Sequence, residues 1–169
     1  MMLEIGGGTL PLGGDWVNID QCETADIRHD LNEVPWPIQD EEVAAIYSSH
    51  CIEHVKDPHS FLRECVRVGK VGTVVEIRCP APHSHLAMTA GHLHVFSLQG
   101  VRNELIHFPN WTPSWGSRKL VLKSHRYQPS EMLDWAKKDL PFLRGVDDQA
   151  IMRWIPGTVH DSVFIFEVE

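Results

Sequence analysis

Three features that often reveal a protein's class are missing from this chain: long apolar runs, clusters of basic residues and closely spaced cysteines. No stretch approaches the roughly 20 consecutive apolar residues that span a bilayer. The 15 lysines and arginines are scattered and the formal net charge is −8, so duplex nucleic acid, which usually binds a basic face, is disfavoured as a partner. The four cysteines form no CxxC pair, which predicts free, mostly buried thiols in a reducing cytoplasm.

The length of the chain also limits its organisation. With 169 residues we expect one domain, residues 1–169, with a single substantial core. A strand-like pattern begins almost at the first residue, so we expect no signal peptide and a cytoplasmic location. Nothing in the sequence defines the oligomeric state.

The most informative pattern that is present is a glycine triplet near the N-terminus. A short apolar run containing Glu4 leads into Gly6–Gly8, and a second run, Val17–Ile19, ends at Asp20. Glycine lets the backbone turn sharply and approach a ligand closely, and a carboxylate can accept both hydroxyls of a ribose. Two consecutive parallel strands that end in this way predict a nucleoside-binding site.

Further strands and helices alternate along the first half of the chain. Residues 44–49 predict a long strand, Asp57 and Pro58 are typical of the start of a helix, and the β-branched run 73–78 predicts another strand. This alternation predicts an α/β domain built on a mostly parallel, Rossmann-like sheet.

The second half is less regular. We interpret residues 82–113 as a cap or long loop over the strand ends, and expect a helix over 130–138. Residues 120–122 suggest a short strand, and the alternating run 162–168 suggests an edge strand. We therefore divide the domain into a cofactor half, about 1–80, and a substrate or cap half, about 81–169.

The order of these motifs resembles that of the class I S-adenosylmethionine-dependent methyltransferases, and within them a compact bacterial and phage branch. The resemblance covers residues 3 to about 80 and continues weakly to Ser97. The segments that carry it are Leu3–Gly8, Val17–Asp20, Ala25–Leu31, Ile46–His54 and Phe61–Val68.

The resemblance implies a sheet of up to seven strands whose C-terminal strand is antiparallel, with S-adenosylmethionine at the carboxyl ends of the strands. It implies that Glu4 and the glycines hold the methionine moiety and the sugar edge, that Asp20 takes the ribose hydroxyls, and that Asp30 and Leu31 lie near adenine. The cofactor-binding residues implied in this way are Glu4, Gly6, Gly7, Gly8, Asp20, Asp30, Leu31, Ser48 and Ser49.

The chain departs from the commoner class I pattern between the first two strands. Only Thr9–Trp16 separate them, and Pro11, Gly13 and Gly14 interrupt this stretch, so we expect no proper first helix. A dinucleotide places its pyrophosphate on the N-terminus of that helix. The missing helix therefore argues against nicotinamide cofactors, whereas S-adenosylmethionine carries no phosphate.

The predicted activity is transfer of a methyl group to an oxygen or nitrogen atom of a small molecule, with a sugar as one candidate. His50 is the catalytic candidate, because a neutral imidazole there could accept a proton from the acceptor; the alternative is that it only shapes the pocket. The sequence also allows a module that binds S-adenosylmethionine or S-adenosylhomocysteine without catalysis.

Two histidine pairs, His83-x-His85 and His92-x-His94, allow a metal interpretation. Residues two apart on an extended segment share a face, so each pair could bind zinc, as in a hydrolase. No aspartate or glutamate lies between His83 and Phe96 to complete the set. We therefore expect no metal site, and interpret these histidines as part of a polar cap.

Other residues limit the acceptor. Ser48-Ser49-His50 stands where amino-methylating DNA enzymes carry an Asn/Asp-Pro-Pro-aromatic motif, which argues against exocyclic base amines. Cys79 does not match the motif of a base-attacking cysteine. Trp111 and Trp115 could form an aromatic wall for the acceptor or belong to the core, and the sequence does not separate these alternatives.

Overall fold

The computed structural model describes residues 1–102, 113–154 and 158–169. Within them, eight strands form one sheet in the order β3-β2-β1-β4-β5-β8-β7-β6. The strands are β1 (Met2–Ile5), β2 (Trp16–Asp20), β3 (Ile27–Arg28), β4 (Val43–Ser49), β5 (Gly69–Pro80), β6 (Ser114–Trp115), β7 (Arg118–Pro129) and β8 (Val159–Val168). The helices are α1 (Pro58–Val68), α2 (Leu98–Arg102), α3 (Glu131–Asp139) and α4 (Asp148–Trp154), with 3-10 turns at His85–Met88 and Pro141–Leu143.

The first five strands run parallel and the remaining pairings are antiparallel. The prediction of a mostly parallel sheet with an antiparallel C-terminal strand is confirmed. The sheet has eight strands rather than seven because the two-residue β6 pairs beyond β7.

The prediction that residues 162–168 form an edge strand is wrong. β8 pairs with β5 on one side and β7 on the other, so it lies inside the sheet. Alternating hydrophobicity reports which faces of a strand are buried, and it carries no information about how many neighbours the strand has.

The connection between β1 and β2 contains no helix, as expected. Residues 6–15 form turns and loop, and the loop is held at Glu4, whose Oε2 accepts the Leu12 N–H at 2.7 Å. The chain therefore returns directly to β2, and the ends of these two strands stay side by side.

Helix α1 begins where the sequence predicts. Asp57 is the N-cap: its Oδ1 accepts the His59 N–H at 3.0 Å and its Oδ2 accepts the Ser60 hydroxyl at 2.6 Å, while Pro58 occupies the first turn. The Asp57 carboxylate satisfies an N–H that a helix start otherwise leaves unpaired, and Pro58 has no N–H to leave unpaired. The apolar side of the helix buries Phe61 and Cys65 against the sheet.

A buried ion pair on α1 fixes the segment before β4. The Arg67 guanidinium donates to both oxygens of Glu64, and also to the Trp36 carbonyl and the Asp40 carboxylate. Glu64 in turn accepts the Trp36 N–H at 2.7 Å. Because these groups satisfy one another, the charges can be buried beneath the loop.

The two faces of the sheet differ. Strand residues on the α1 side are buried in one cluster that includes Leu3, Ile5, Ile19, Ile46, Val75, Ile77, Phe164 and Phe166. On the opposite face, Trp16, Tyr47, Glu76 and Arg78 are only half-buried; Arg78 pairs with Glu76 and lies over the Tyr47 ring.

A second, smaller cluster joins α3 and α4 to β7 through Tyr127. None of the described helices is long and apolar enough to cross a membrane.

Candidate functional site

A pocket of about 220 Å³ lies where the strand order reverses, beside the carboxyl ends of β1, β2 and β4. The chain continues from β1 toward β2 on one side and returns to β4 on the other, which opens a crevice between the strand ends. The pocket is lined by Gly6, Asp20, Gln21, Leu31, Asn32, His50, Cys51, His54 and Val55. Four residues predicted for the site from the sequence, Gly6, Asp20, Leu31 and His50, are therefore brought together there.

The glycine loop is tightly packed at its first two residues. Gly6 has φ +75°, and a Cβ placed on it would lie 2.5 Å from the Cys51 Sγ. A Cβ on Gly7 would lie 2.8 Å from both the Asn18 side-chain oxygen and the Glu4 Cδ. Only glycine lets the loop pass this close to β2 and to Cys51, the second residue after β4. Gly7 and Gly8 are not part of the pocket wall.

Asp20 connects the two strand ends. Its Oδ2 accepts the Gly8 N–H at 3.0 Å, and its Oδ1 accepts the Cys22 N–H at 2.9 Å. A carboxylate offers about four lone-pair sites. Capacity to bind two further donors, such as ribose hydroxyls, therefore remains on a side chain that is already held in place.

The residues after β3 are ordered by Asp30. Its Oδ1 accepts the Asn32 N–H at 2.9 Å, the Asn32 side-chain amide at 2.8 Å and the Gln21 amide at 3.2 Å. The hydrogen bonds from Asn32 lower the pKa of Asp30. Asp30 itself is absent from the pocket wall, to which Leu31 and Asn32 contribute. Asp26, four residues earlier in the chain, accepts the Asn18 N–H at 2.8 Å and so holds β2.

Three other predicted cofactor residues, Glu4, Ser48 and Ser49, are absent from the pocket wall. Glu4 is buried and holds the glycine loop through Leu12. Ser48 is fully buried, and its hydroxyl donates to the Ile5 carbonyl at 3.0 Å, across β4 and β1. Ser49, half-buried at the end of β4, is not part of the wall. Within the described structure, Glu4 and Ser48 therefore support the backbone around the site.

His50 is held between two carboxylates. It has φ +52°, a backbone conformation uncommon outside glycine, and its N–H donates to the Arg78 carbonyl. The ring Nε2 lies 3.3 Å from Asp161 and Nδ1 lies 3.3 Å from Glu53. Asp161, and after it Glu53, raise the pKa of His50 to about 10, and burial opposes them. Both ring nitrogens are thus engaged, and the imidazole is in its charged form near neutral pH.

Asp161 and His160 are functional candidates that the sequence did not reveal. The His160 Nδ1 lies 2.9 Å from the Asp161 Oδ1, and the His50 and His160 rings are 6.1 Å apart. His50 and Asp161 are 111 residues apart in the chain and meet only because β8 inserts beside β5. A His-Asp dipeptide at the start of a strand is too common a pattern to predict this.

The histidine-rich segment lies over the residues that follow β4. The Leu93 N–H donates to the Glu53 carbonyl at 2.8 Å, His94 Nε2 lies 3.0 Å from the Val55 carbonyl, and His54 Nδ1 lies 3.2 Å from the Gly91 carbonyl. The predicted pairs do not act as units: His83 and His85 are exposed, and neither belongs to a group of three close ligands among the described residues.

The aromatic wall is not supported at Trp115. Its Nε1 donates to Asp40 at 3.0 Å, near the amino end of β4 and away from the pocket. Trp111 lies outside the described residues. Cys79 is buried with a raised pKa, because burial disfavours its thiolate, so it is poorly suited to nucleophilic attack.

A larger cavity of about 430 Å³ lies between α1, the core face of β5 and β8, and residues 93–101. Its walls are mostly apolar, with Leu62, Ile77, Phe164 and Phe166 among them. None of the residues predicted to bind the cofactor contributes to it.

Known proteins share the fold of this chain. Residues 17–77 match the family model described as a methyltransferase domain. A SAM-dependent methyltransferase from Archaeoglobus fulgidus matches with a TM-score of 0.60 and 15% identity, over 98% of this chain and 85% of that one. A SAM-dependent methyltransferase from Aquifex aeolicus matches with a TM-score of 0.56 and 13% identity, over 98% of this chain and 81% of that one. The [4+2]-cyclase SpnF matches with a TM-score of 0.61 and 12% identity, over 98% of this chain and 73% of that one. At such low identities the likeness establishes the fold.

Proposed function

Since the chain has the class I methyltransferase fold and residues 17–77 match the methyltransferase domain family, we propose that it binds S-adenosylmethionine and transfers the methyl group to a small-molecule oxygen or nitrogen acceptor. The observation that carries the proposal is the 220 Å³ pocket at the switch point, with Asp20 held in its wall. Solved structures of this fold that are described as SAM-dependent support the choice of cofactor.

The pocket suggests how the cofactor is oriented. Asp20 takes the ribose hydroxyls with its remaining acceptor sites, and the methionine end passes Gly6, where only a glycine leaves room. Adenine packs against Leu31, which lines the pocket, beside the polar Asn32. In this orientation the sulfonium lies on the β4 side, near His50 and Cys51.

Charge in the site favours a sulfonium. Among the described residues, the Asp20 carboxylate lines the pocket, and those of Glu53 and Asp161 lie on either side of the charged His50 in its wall. Excess negative charge in a partly buried site attracts the cationic cofactor more than its neutral thioether product. We therefore expect S-adenosylmethionine to bind more tightly than S-adenosylhomocysteine, and the preference to weaken as salt is added.

His50 is better suited to positioning than to accepting a proton, because Asp161 and Glu53 engage both ring nitrogens. His160 is the better candidate base. If its Nδ1–H donates to Asp161, the tautomer leaves Nε2 with a free lone pair on a half-exposed ring. We therefore assign the cofactor to residues 1–80 and the acceptor to 81–169, with His160 on the acceptor side.

Isothermal titration with S-adenosylmethionine tests the first step. Saturable binding is expected, and the absence of heat together with no thermal shift at millimolar cofactor would refute the proposal. Release of S-adenosylhomocysteine with a panel of sugars, phenols and amines tests the second step. His160→Gln should slow turnover without weakening cofactor binding, whereas Asp20→Ala should weaken binding.

A non-catalytic module is the second candidate, favoured by one observation: both nitrogens of the predicted catalytic His50 are occupied by carboxylates. The structural match to a cyclase also shows that this fold is not restricted to methyl transfer. Tight binding of both cofactor forms without product release over the whole panel would favour this candidate.

A further inference from the structure

We propose a divalent metal site of the zinc class, formed by Glu53, His54 and His92, beside the pocket. One ligand atom from each of these side chains lies within 4.8 Å of those of the other two. The carboxylate that the histidine segment itself lacks is supplied here by the residues after β4. The site does not depend on the proposed cofactor or activity.

Glu53 provides the first argument. Its side chain is 1% exposed, and neither carboxylate oxygen has a hydrogen-bond partner. The contact with His50 Nδ1, at 3.3 Å, is an ion pair without hydrogen-bond geometry. A buried carboxylate with unused lone pairs is costly unless it is paired or coordinates a metal. The charged His50 faces this carboxylate on one side, and a divalent cation would bind the oxygen lone pairs that no hydrogen bond uses.

His92 provides an independent argument. Its Nδ1 is buried and has no hydrogen-bond partner. Its ring stands edge-on to that of His54, with centroids 4.7 Å apart at 80°. Two imidazoles this close to one unpartnered carboxylate match the ligand types that zinc accepts in sites with three protein ligands and one open position.

The backbone orients the third ligand. His54 Nδ1 lies 3.2 Å from the Gly91 carbonyl, so Nδ1–H donates and Nε2 is left as the ligand atom. The Leu93 N–H donates to the Glu53 carbonyl at 2.8 Å. These two hydrogen bonds lie on either side of His92 and hold its segment against Glu53 and His54. Zinc would draw the ligand atoms closer, since Zn–N and Zn–O distances are about 2.0–2.2 Å.

A second group, His50, His160 and Asp161, meets the same distance limit. Its atoms are already engaged, however: Asp161 contacts His50 through Oδ2 and His160 through Oδ1. Imidazole ligands also disfavour magnesium and calcium, which prefer oxygen. The group in which both Glu53 oxygens and the His92 Nδ1 lack hydrogen-bond partners is therefore the one assigned to zinc.

The experiment uses tag-free protein that is stripped with a chelator, dialysed and titrated with Zn²⁺, with retained metal measured by mass spectrometry. One equivalent of zinc is expected to remain on the wild type. Glu53→Gln and His92→Ala should each weaken zinc affinity by at least about 100-fold, whereas His83→Ala, which changes an exposed histidine of the same segment, should have no effect.

Circular dichroism establishes that each variant is folded. If a variant does not fold, its titration is replaced by the visible spectrum of the wild type loaded with Co²⁺. Absorption bands typical of tetrahedral Co²⁺ then support the site. The proposal is overturned if the wild type retains no zinc, if His83→Ala weakens binding as much as His92→Ala does, or if only His160→Ala abolishes it.

Discussion

Gly8 donates its backbone N–H to the Asp20 carboxylate across 3.0 Å, so the glycine loop and the end of β2 are joined directly. The loop is short because no helix intervenes between the strands, and this hydrogen bond closes it. The carboxylate therefore fixes the backbone around the pocket, and we propose that its remaining lone pairs bind the ligand.

Asp20→Ala is expected to reduce the affinity for S-adenosylmethionine by about 10–100-fold, because charge-assisted hydrogen bonds to the ribose contribute about 1.5–3 kcal/mol. Titration calorimetry measures the change. Asp26→Ala is the matched control: it removes the carboxylate that accepts the Asn18 N–H, away from the pocket wall. It should lower stability by about 1 kcal/mol and leave the affinity unchanged. Equal losses in both variants would contradict the assignment.

Gly6→Ala is expected to destabilise the protein by about 2–4 kcal/mol, since positive-φ strain adds to overpacking. The new Cβ would lie 2.5 Å from the Cys51 Sγ. Gly13→Ala provides the control, because Gly13 also has a positive φ, of +68°, but has open space around it. It should cost about 1 kcal/mol. Urea denaturation compares the two, and similar costs would show that the Cys51 contact is unimportant.

Arg67→Met is expected to cost about 3–5 kcal/mol, because it leaves the buried Glu64 carboxylate without its counter-charge. Glu64→Gln combined with Arg67→Met should cost less than the sum of the single changes. Arg63→Met, on the exposed side of the same helix, should change stability by under about 0.5 kcal/mol. Chemical denaturation of all four variants measures these values, and strict additivity would contradict the coupling.

His125 is expected to make the fold sensitive to acid. Its ring packs on Tyr127 and Phe164, its Nε2 is buried without a partner, and burial, followed by Arg102 and Arg153, lowers its pKa to about 4. The unfolded chain, with a pKa of about 6.5 for this group, binds the proton more readily. The contribution to stability is therefore complete above about pH 6.5 and is lost as the pH falls toward about 4.

His125→Phe fits the same aromatic contacts and removes the titration. It should gain about 1–2 kcal/mol at pH 5 relative to the wild type and be close to neutral at pH 8. His83→Gln, at an exposed position, should leave the pH dependence intact. Thermal melts across this pH range provide the measurement, and an unchanged acid slope in His125→Phe would rule out His125 as its source.

Local sequence patterns predicted the parallel part of the sheet, from β1 to β5, well. The start of α1 was readable because Asp57 and Pro58 act on their own neighbours, and Gly6 and Asp20 because each ends a strand. The missing first helix followed from the length of the loop alone. In each case the relevant interaction spans few residues, so the sequence contains it.

Contacts between distant segments were not predictable in the same way. The inner position of β8 depends on two pairings with strands far away in the chain, and it brings Asp161 to His50. The partner of Ser48 likewise depends on the register of β4 against β1, which places its hydroxyl on the Ile5 carbonyl, outside the pocket wall. Such relationships arise from tertiary packing, on which a single sequence carries little information.

The inner position of β8 has a consequence for failure of the fold. If β8 detached, β5 and β7 would both lose their backbone hydrogen bonds to it. Each of these two strands is 12 residues long. The edge of β5, which is rich in β-branched side chains, and the apolar run 120–122 of β7 would then be templates for pairing with other copies. Destabilising substitutions in β8 should therefore lead to aggregation. Substitutions in the two-residue edge strand β3 should only loosen the end of the sheet.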